Sequence, residues 1–253
     1  MQIKTQGLII KEQTVGESDR LVTVLTADEG VLRAFARRAK NLKDSKNSAT
    51  QILCYSRLNL YKGRDKYIIN DAFPIEVFFD LRKEITKLSL AQYFCDIIAE
   101  FAPEGLPSEE YLRLALNALH FLCKDTKPEL LLKPIVEMRL LTYAGFMPDF
   151  VACMHCGAYE SPCMHFMIDE AGILCDDCFQ PGYARTAPMN PSSVKAMRHI
   201  LYADTEKLFS FQLSGGSQKE LAAASEAYLL SVIDRKPKTL DFYRSLADMP
   251  GVT

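Results

Sequence analysis

The chain has 253 residues, 48% of them hydrophobic and 25% charged, with a formal net charge of −2. That leaves room for one large or two smaller domains of ordinary soluble composition. No apolar run has the length of a membrane span, and Met1-Gln2-Ile3-Lys4 opens no signal-peptide hydrophobic region, so no membrane association and a cytoplasmic location are expected.

The first eighty residues read as short strands, over residues 4–11, 21–26, 31–38, 57–61 and 67–72. Asp28-Glu29-Gly30 is a turn, and Lys62-Gly63-Arg64-Asp65 connects the last two strands as a hairpin. Five strands in this span predict a small barrel with the strand count of the OB-fold. Residues 39–55, between the third and fourth strands, are polar and lack hydrophobic periodicity. Loops of that length are usually functional or mobile.

After Pro74 the period changes. Ile85, Leu88, Ala91, Cys95, Ile98 and Ala102 recur at helical steps, and Pro103, Gly105 and Pro107 end the run. Ser108 stands as an N-cap before Glu109 and Glu110, and Tyr111, Leu114, Ala115, Leu119 and Leu122 continue a second helix. A third segment begins after Pro128, restarts at Pro134 and ends at Ala144-Gly145. Helices are also expected over about 192–202 and 218–233, with a short one near Asp241. The fold class expected is α+β: a five-stranded OB-fold barrel over residues 1–80, then a mostly helical domain over 81–253 carrying a cysteine module at about 150–182.

In that module Cys153–Cys156 and Cys175–Cys178 form two Cys-x-x-Cys pairs separated by eighteen residues. The spacing is that of a four-thiolate zinc site, each pair supplying two ligands from a tight turn. Gly157 follows the first pair as such a turn requires, and residues 166–168 and 172–174 can form a hairpin around Asp169-Glu170. The alternative is a set of free thiols. A catalytic zinc keeps one position open. Here four thiolates are available, and neither the His-x-Glu of zinc deaminases nor His-Glu-x-x-His occurs. One structural Zn²⁺ is therefore the expectation, with His155, Cys163 and His165 read as ordinary loop residues and substitute ligation as the alternative. The four remaining cysteines, Cys54, Cys95, Cys123 and Cys163, read as thiols of a reducing compartment.

Charge is unevenly spread. Ten basic residues (Arg33, Arg37, Arg38, Lys40, Lys43, Lys46, Arg57, Lys62, Arg64 and Lys66) face only Asp44 and Asp65 in the same stretch. Concentrated positive charge on an otherwise acidic chain fits a polyanion surface, with a merely solvated face as the alternative. Alternation on the third strand turns Leu32, Ala34 and Ala36 inward and leaves Arg33, Phe35 and Arg37 outward. On the fourth, Leu58 and Leu60 point in, and Arg57, Asn59 and Tyr61 point out. Guanidinium groups can neutralise phosphates while Phe35 and Tyr61 offer stacking surfaces to unpaired bases. The alternative is that both rings pack beneath the helices. Phosphate loops, Gly-x-Gly-x-x-Gly and Gly-x-Ser-x-Gly are all missing, so an enzyme is not expected.

The chain also resembles the bacterial RecO family of recombination mediators over nearly its whole length. The likeness rests on Gly7-Leu8-Ile9-Ile10, on residues 16–26 from Gly16-Glu17-Ser18-Asp19-Arg20 to Thr26, and on Gly30 with the basic third strand. The strand and turn from Leu58 to Gly63, residues 150–157 and residues 174–178 complete it. The resemblance implies an OB domain, a helical domain with a zinc module whose ligands are the four paired cysteines, and no turnover activity. It further implies binding of single- and double-stranded DNA, annealing of complementary strands at the bacterial nucleoid, and assistance to RecA on strands coated with single-stranded DNA-binding protein. RecR and that coating protein are the implied partners. Two other classes stay open at this stage: a zinc-stabilised protein–protein adaptor with little DNA affinity, and a zinc hydrolase with an open site.

Overall fold

A computed structural model of the chain describes residues 1–64, 66–233 and 235–247. Asp65, counted above among the acidic residues and placed in the hairpin connection, lies outside the described residues. Contacts divide the chain into two compact units, residues 1–126 with the stretch from 237, and residues 127–236. The contact grouping extends the first unit past the change of period near residue 80, because the helices that follow pack on the strands.

The first unit is built on β1 (Gln2–Val15), β2 (Asp19–Thr26), β3 (Val31–Ala36), β4 (Cys54–Lys62) and β5 (Tyr67–Val77). They close into a barrel in the order β1-β2-β3-β5-β4. Closure depends on β1 being long. Its first half pairs with β4 and its second half with β2, with an irregularity between Ile9 and Lys11 that bends it round the barrel. The remaining seam is a parallel pairing of β3 with β5. Ile9, Val22, Val24, Leu32, Leu58, Leu60 and Ile69 fill the interior, with Ala34, Ala36 and Ala72 where space is tight. The expected alternation of β3 and β4 is therefore observed. Residues 37–53 carry only a one-turn helix, α1 (Lys46–Ala49), whose Ala49 joins the barrel core.

Among the described residues this unit also contains a short 3-10 helix (Phe79–Lys83) and the longer helices α2 (Ile85–Phe101), α3 (Glu109–Lys124) and α7 (Lys238–Ala247). Helix α2 packs on α7, and α2 and α3 pack on β1, with α3 also reaching β2. The segment between α2 and α3 is tied to the β2–β3 turn by Val31 N–H to Pro103 O (2.9 Å), Gly105 N–H to Glu29 O (2.9 Å) and Ser108 N–H to Ala27 O (2.7 Å). Gly30 makes this approach possible. Its φ is +62°, and an added Cβ would stand 2.1 Å from Pro103 O. Ser108 does occupy the N-cap of α3, but its hydroxyl donates to Leu106 O at 3.2 Å and does not cap the helix.

The second unit contains α4 (Glu129–Tyr143), β6 (Asp149–Cys153), β7 (Met164–Met167), β8 (Gly172–Cys175), β9 (Thr186–Met189), α5 (Pro191–Tyr202) and α6 (Gly215–Val232). Helix α4 runs unbroken through Pro134, where a restart was expected. One N–H is lost there, but Leu131, Leu132, Ile135, Val136, Leu140 and Leu141 are buried on both sides of it and carry the helix through. It ends in a Schellman arrangement, Phe146 N–H to Leu141 O (2.8 Å) and Gly145 N–H to Thr142 O (3.2 Å). Helix α4 packs on α6 around buried charge. Lys133 Nζ lies 2.7 Å from Glu137 and 2.8 Å from Glu226, and Ser225 Oγ donates to Glu137 at 2.7 Å. The expected 166–168/172–174 hairpin is β7–β8. It is the centre of a four-stranded sheet, β6-β8-β7-β9, whose outer strands have no clear period of their own.

No helix among the described residues is long and apolar enough to cross a membrane.

Candidate nucleic-acid interface and metal centre

The barrel's outer face carries the basic stretch. Leu21 stands opposite Phe35, Phe35 opposite Ile68, and Ile68 opposite Tyr61. These four make one cross-strand row over β2, β3, β5 and β4, with Tyr61 46% exposed and the other three half-buried. Arg33 and Arg37, both exposed, flank Phe35 two residues to either side on the same face. Lys66 Nζ lies 5.8 Å from the Phe35 ring centre. From its β2 end the row runs on across β3, β5 and β4, whereas α2 and α3 pack on β1, and α3 also on β2.

The other basic residues divide by what they already touch. Arg38, at φ +56°, is held by its N–H to Asp19 Oδ1 (2.8 Å). That bond, with the Ser18 hydroxyl, keeps the Asp19 carboxyl below its ordinary range. Lys40 and Lys43 follow in the exposed loop, fixed through their backbones to Ser18 O and Asn41 Oδ1. Arg64 is exposed in the β4–β5 connection. Lys46 is engaged, 3.4 Å from Asp44 and 3.4 Å from Asn70 O. Lys62 is engaged as well, 3.4 Å from Glu29 and 5.3 Å above the Tyr67 ring. Its ammonium pKa is raised by Tyr67 and then by Glu29. Arg57 stands off the row, four residues before Tyr61 on β4, between Gln6 and Phe73. Leu21 and Ile68 were not singled out from sequence. Only the β2–β3 pairing and the parallel β3–β5 seam bring them beside Phe35.

The cysteines occupy two facing turns. Strand β6 ends at Cys153 and β8 at Cys175, and the two run parallel with Cys153 opposite Ile173. The first turn closes with Gly157 N–H to Cys153 O (2.9 Å), Gly157 taking φ +75°, which glycine adopts without strain. The second closes with Cys178 N–H to Cys175 O (3.1 Å). All four sulfurs lie within 4.8 Å of one another. Cys156 and Cys175 are 3.6 Å apart, against the roughly 3.8 Å edge of a tetrahedron with Zn–S bonds of about 2.3 Å.

Burial opposes ionisation of Cys153. The N–H groups of Cys156, Cys175 and His155 outweigh it and hold that thiol down to about 6. Cys178 is pushed up to about 12 by the hydrogens it shares with Cys175 and Cys156, and burial raises Cys175. One negative charge discourages the next, the situation that a bound dication reverses. The donor set therefore fits a four-coordinate metal ion. The exposed His155 acts there through its backbone and is not among the clustered ligand atoms, and Cys163 and His165 gather elsewhere, with Asp176.

Comparison with known proteins agrees with this architecture. Residues 1–78 match the family model "Recombination protein O N terminal", and residues 82–241 match "Recombination protein O C terminal". A protein of Acetivibrio thermocellus named DNA repair protein RecO is 32% identical over 244 residues, covering 96% of this chain and 97% of that one. Proteins of the same name from Alkaliphilus metalliredigens and Symbiobacterium thermophilum are 27% and 28% identical. The match covers 93% and 95% of this chain, and 95% and 96% of theirs. With both family models matched in order and relatives aligned end to end, the chain belongs to the RecO family of DNA repair proteins.

Proposed function

We propose that the chain is a recombination mediator that binds single- and double-stranded DNA on the outer face of its barrel and anneals complementary strands. It would also help RecA take over strands coated with single-stranded DNA-binding protein. The observation that carries this reading is the Leu21–Phe35–Ile68–Tyr61 row bordered by Arg33, Arg37 and Lys66. Rings of this kind support bases, and guanidinium groups beside them can neutralise phosphates. Arg38, Lys40, Lys43 and Arg64 extend the positive border, while Lys46, Lys62 and Arg57 contribute less directly. The energy of annealing belongs to base pairing. The protein needs only to screen phosphate repulsion between two strands, and no turnover chemistry is required of it.

In this reading residues 1–80 are the DNA-binding part, and the helical part over 81–253 carries the metal module. The ion is one Zn²⁺ held by Cys153, Cys156, Cys175 and Cys178. A four-sulfur tetrahedral set suits it, and it supplies a cross-link between two turns. RecR and single-stranded DNA-binding protein are the proposed partners, and the bacterial nucleoid the place of action.

A second reading, an adaptor with little DNA affinity, has the exposed Phe73, Ile75, Val77 and Phe79 in its favour, an apolar run along and beyond β5. Strand annealing measured with and without single-stranded DNA-binding protein separates the two. The mediator reading expects faster annealing in both conditions. Failure to bind a labelled single strand at low salt, or to speed annealing, would leave the adaptor.

A further inference from the structure

The β7–β8 hairpin has a second chemical face. Met164 pairs with Cys175 and His165 with Leu174. Continuing that register sets Cys163 opposite Asp176. Since side chains alternate along a strand, Cys163, His165 and Asp176 share the face turned away from Met164 and Cys175. Their ligating atoms lie within 4.8 Å of one another. His165 Nε2 and Asp176 Oδ1 are 3.1 Å apart, near the roughly 3.3 Å edge of a tetrahedron with metal–ligand bonds of about 2.0–2.1 Å.

We propose that Cys163, His165 and Asp176 form a second metal site, separate from the four cysteines, for a divalent transition-metal ion of the zinc or cobalt type. One sulfur, one imidazole nitrogen and one carboxylate oxygen are the mixed donor set such ions take, and three protein ligands leave a fourth position for water. The surroundings hold the donors in place. The His165 ring is stacked on Phe179 at 3.7 Å and 4°. The Cys163 sulfur lies 3.9 Å from Met164 O, and the Asp176 N–H donates to Ser161 Oγ at 3.2 Å. The site is reachable, with the Asp176 side chain 60% exposed and that of His165 12% exposed. A plain His165–Asp176 ion pair accounts for two of the three groups, and the third, Cys163, has a long sulfur contact to Met164 O but is not held to either of them by that pair.

The test is titration of the purified full chain, carrying its own metal, with Co²⁺, while release of that metal is followed. The expected result is uptake of one Co²⁺ per chain without release of the resident ion, with absorption from a single sulfur–cobalt bond. Cys163→Ser and Asp176→Asn should each abolish this uptake. Asp176 is exposed, so its substitution tests ligation without disturbing packing. Failure to take up Co²⁺, uptake matched by release of the resident metal, or uptake that survives both substitutions would each overturn the site.

Discussion

The barrel and the four-stranded sheet are both small β structures, yet they are held together by different means. In the barrel every strand has two neighbours, β1 alone runs fourteen residues, and the interior is filled by its own aliphatic side chains. Cohesion comes from burial, so the outer face is free to carry arginines and half-exposed rings. Strands β6 to β9 have only four or five residues each, and the sheet buries a smaller set of side chains, Phe150, Met164, Phe166 and Ile173 among them. There the four cysteines stand where, in the proposed reading, a bound ion would fasten two turns together. Chemistry visible in a sequence can thus be structural, while the working surface is written in ordinary charged and aromatic residues.

The sharpest way to break that comparison is to remove the fastening. Structural zinc contributes roughly 10–16 kcal/mol to small zinc-finger domains. Chelation of the full chain should therefore collapse hydrogen-exchange protection over residues 149–189 and leave that of β1–β5 in place. Equal loss in both regions would show that the barrel depends on the metal too. A smaller effect is expected from Glu137→Ala, which leaves Lys133 buried between α4 and α6 with part of its counter-charge gone. Breaking a buried pair in this way costs about 3–5 kcal/mol. Chemical denaturation should register the loss in the second unit, and a change under about 1 kcal/mol would mean the charges are better hydrated than their burial implies. Smaller again is the effect on binding of Phe35→Ala or Tyr61→Ala, about 1–3 kcal/mol per stacked base. Fluorescence anisotropy with a short single strand reads it. A loss confined to Phe35 would restrict stacking to the middle of the row.

How much of this was legible beforehand follows from the range of the interactions. Alternation exposed the inward and outward residues of β3 and β4, and spacing marked out the four cysteines, because both signals are local. The row from Leu21 to Tyr61 depends on a parallel seam between strands thirty residues apart, which no local pattern encodes. The same holds for α7, which joins the first unit from the other end of the chain, and for β6 and β9, which are strands only because β8 and β7 lie beside them. Pro134 misled because its local cost is real, and buried side chains on both sides of it outweigh that cost. Cys163 and His165 were visible singly and Asp176 was not, and only the register of the hairpin sets the three on one face.

The central claim, that DNA is held on the outer face of the barrel by charge, is tested most directly by salt dependence. Single-strand affinity should fall with salt by about 0.7 log units per log unit for each phosphate neutralised. Arg33, Arg37 and Arg38 replaced together by Glu should weaken binding and flatten that slope by roughly 2 if each meets one phosphate, with thermal melting unchanged. Binding with the wild-type slope and affinity, in a variant that melts normally, would contradict the assignment.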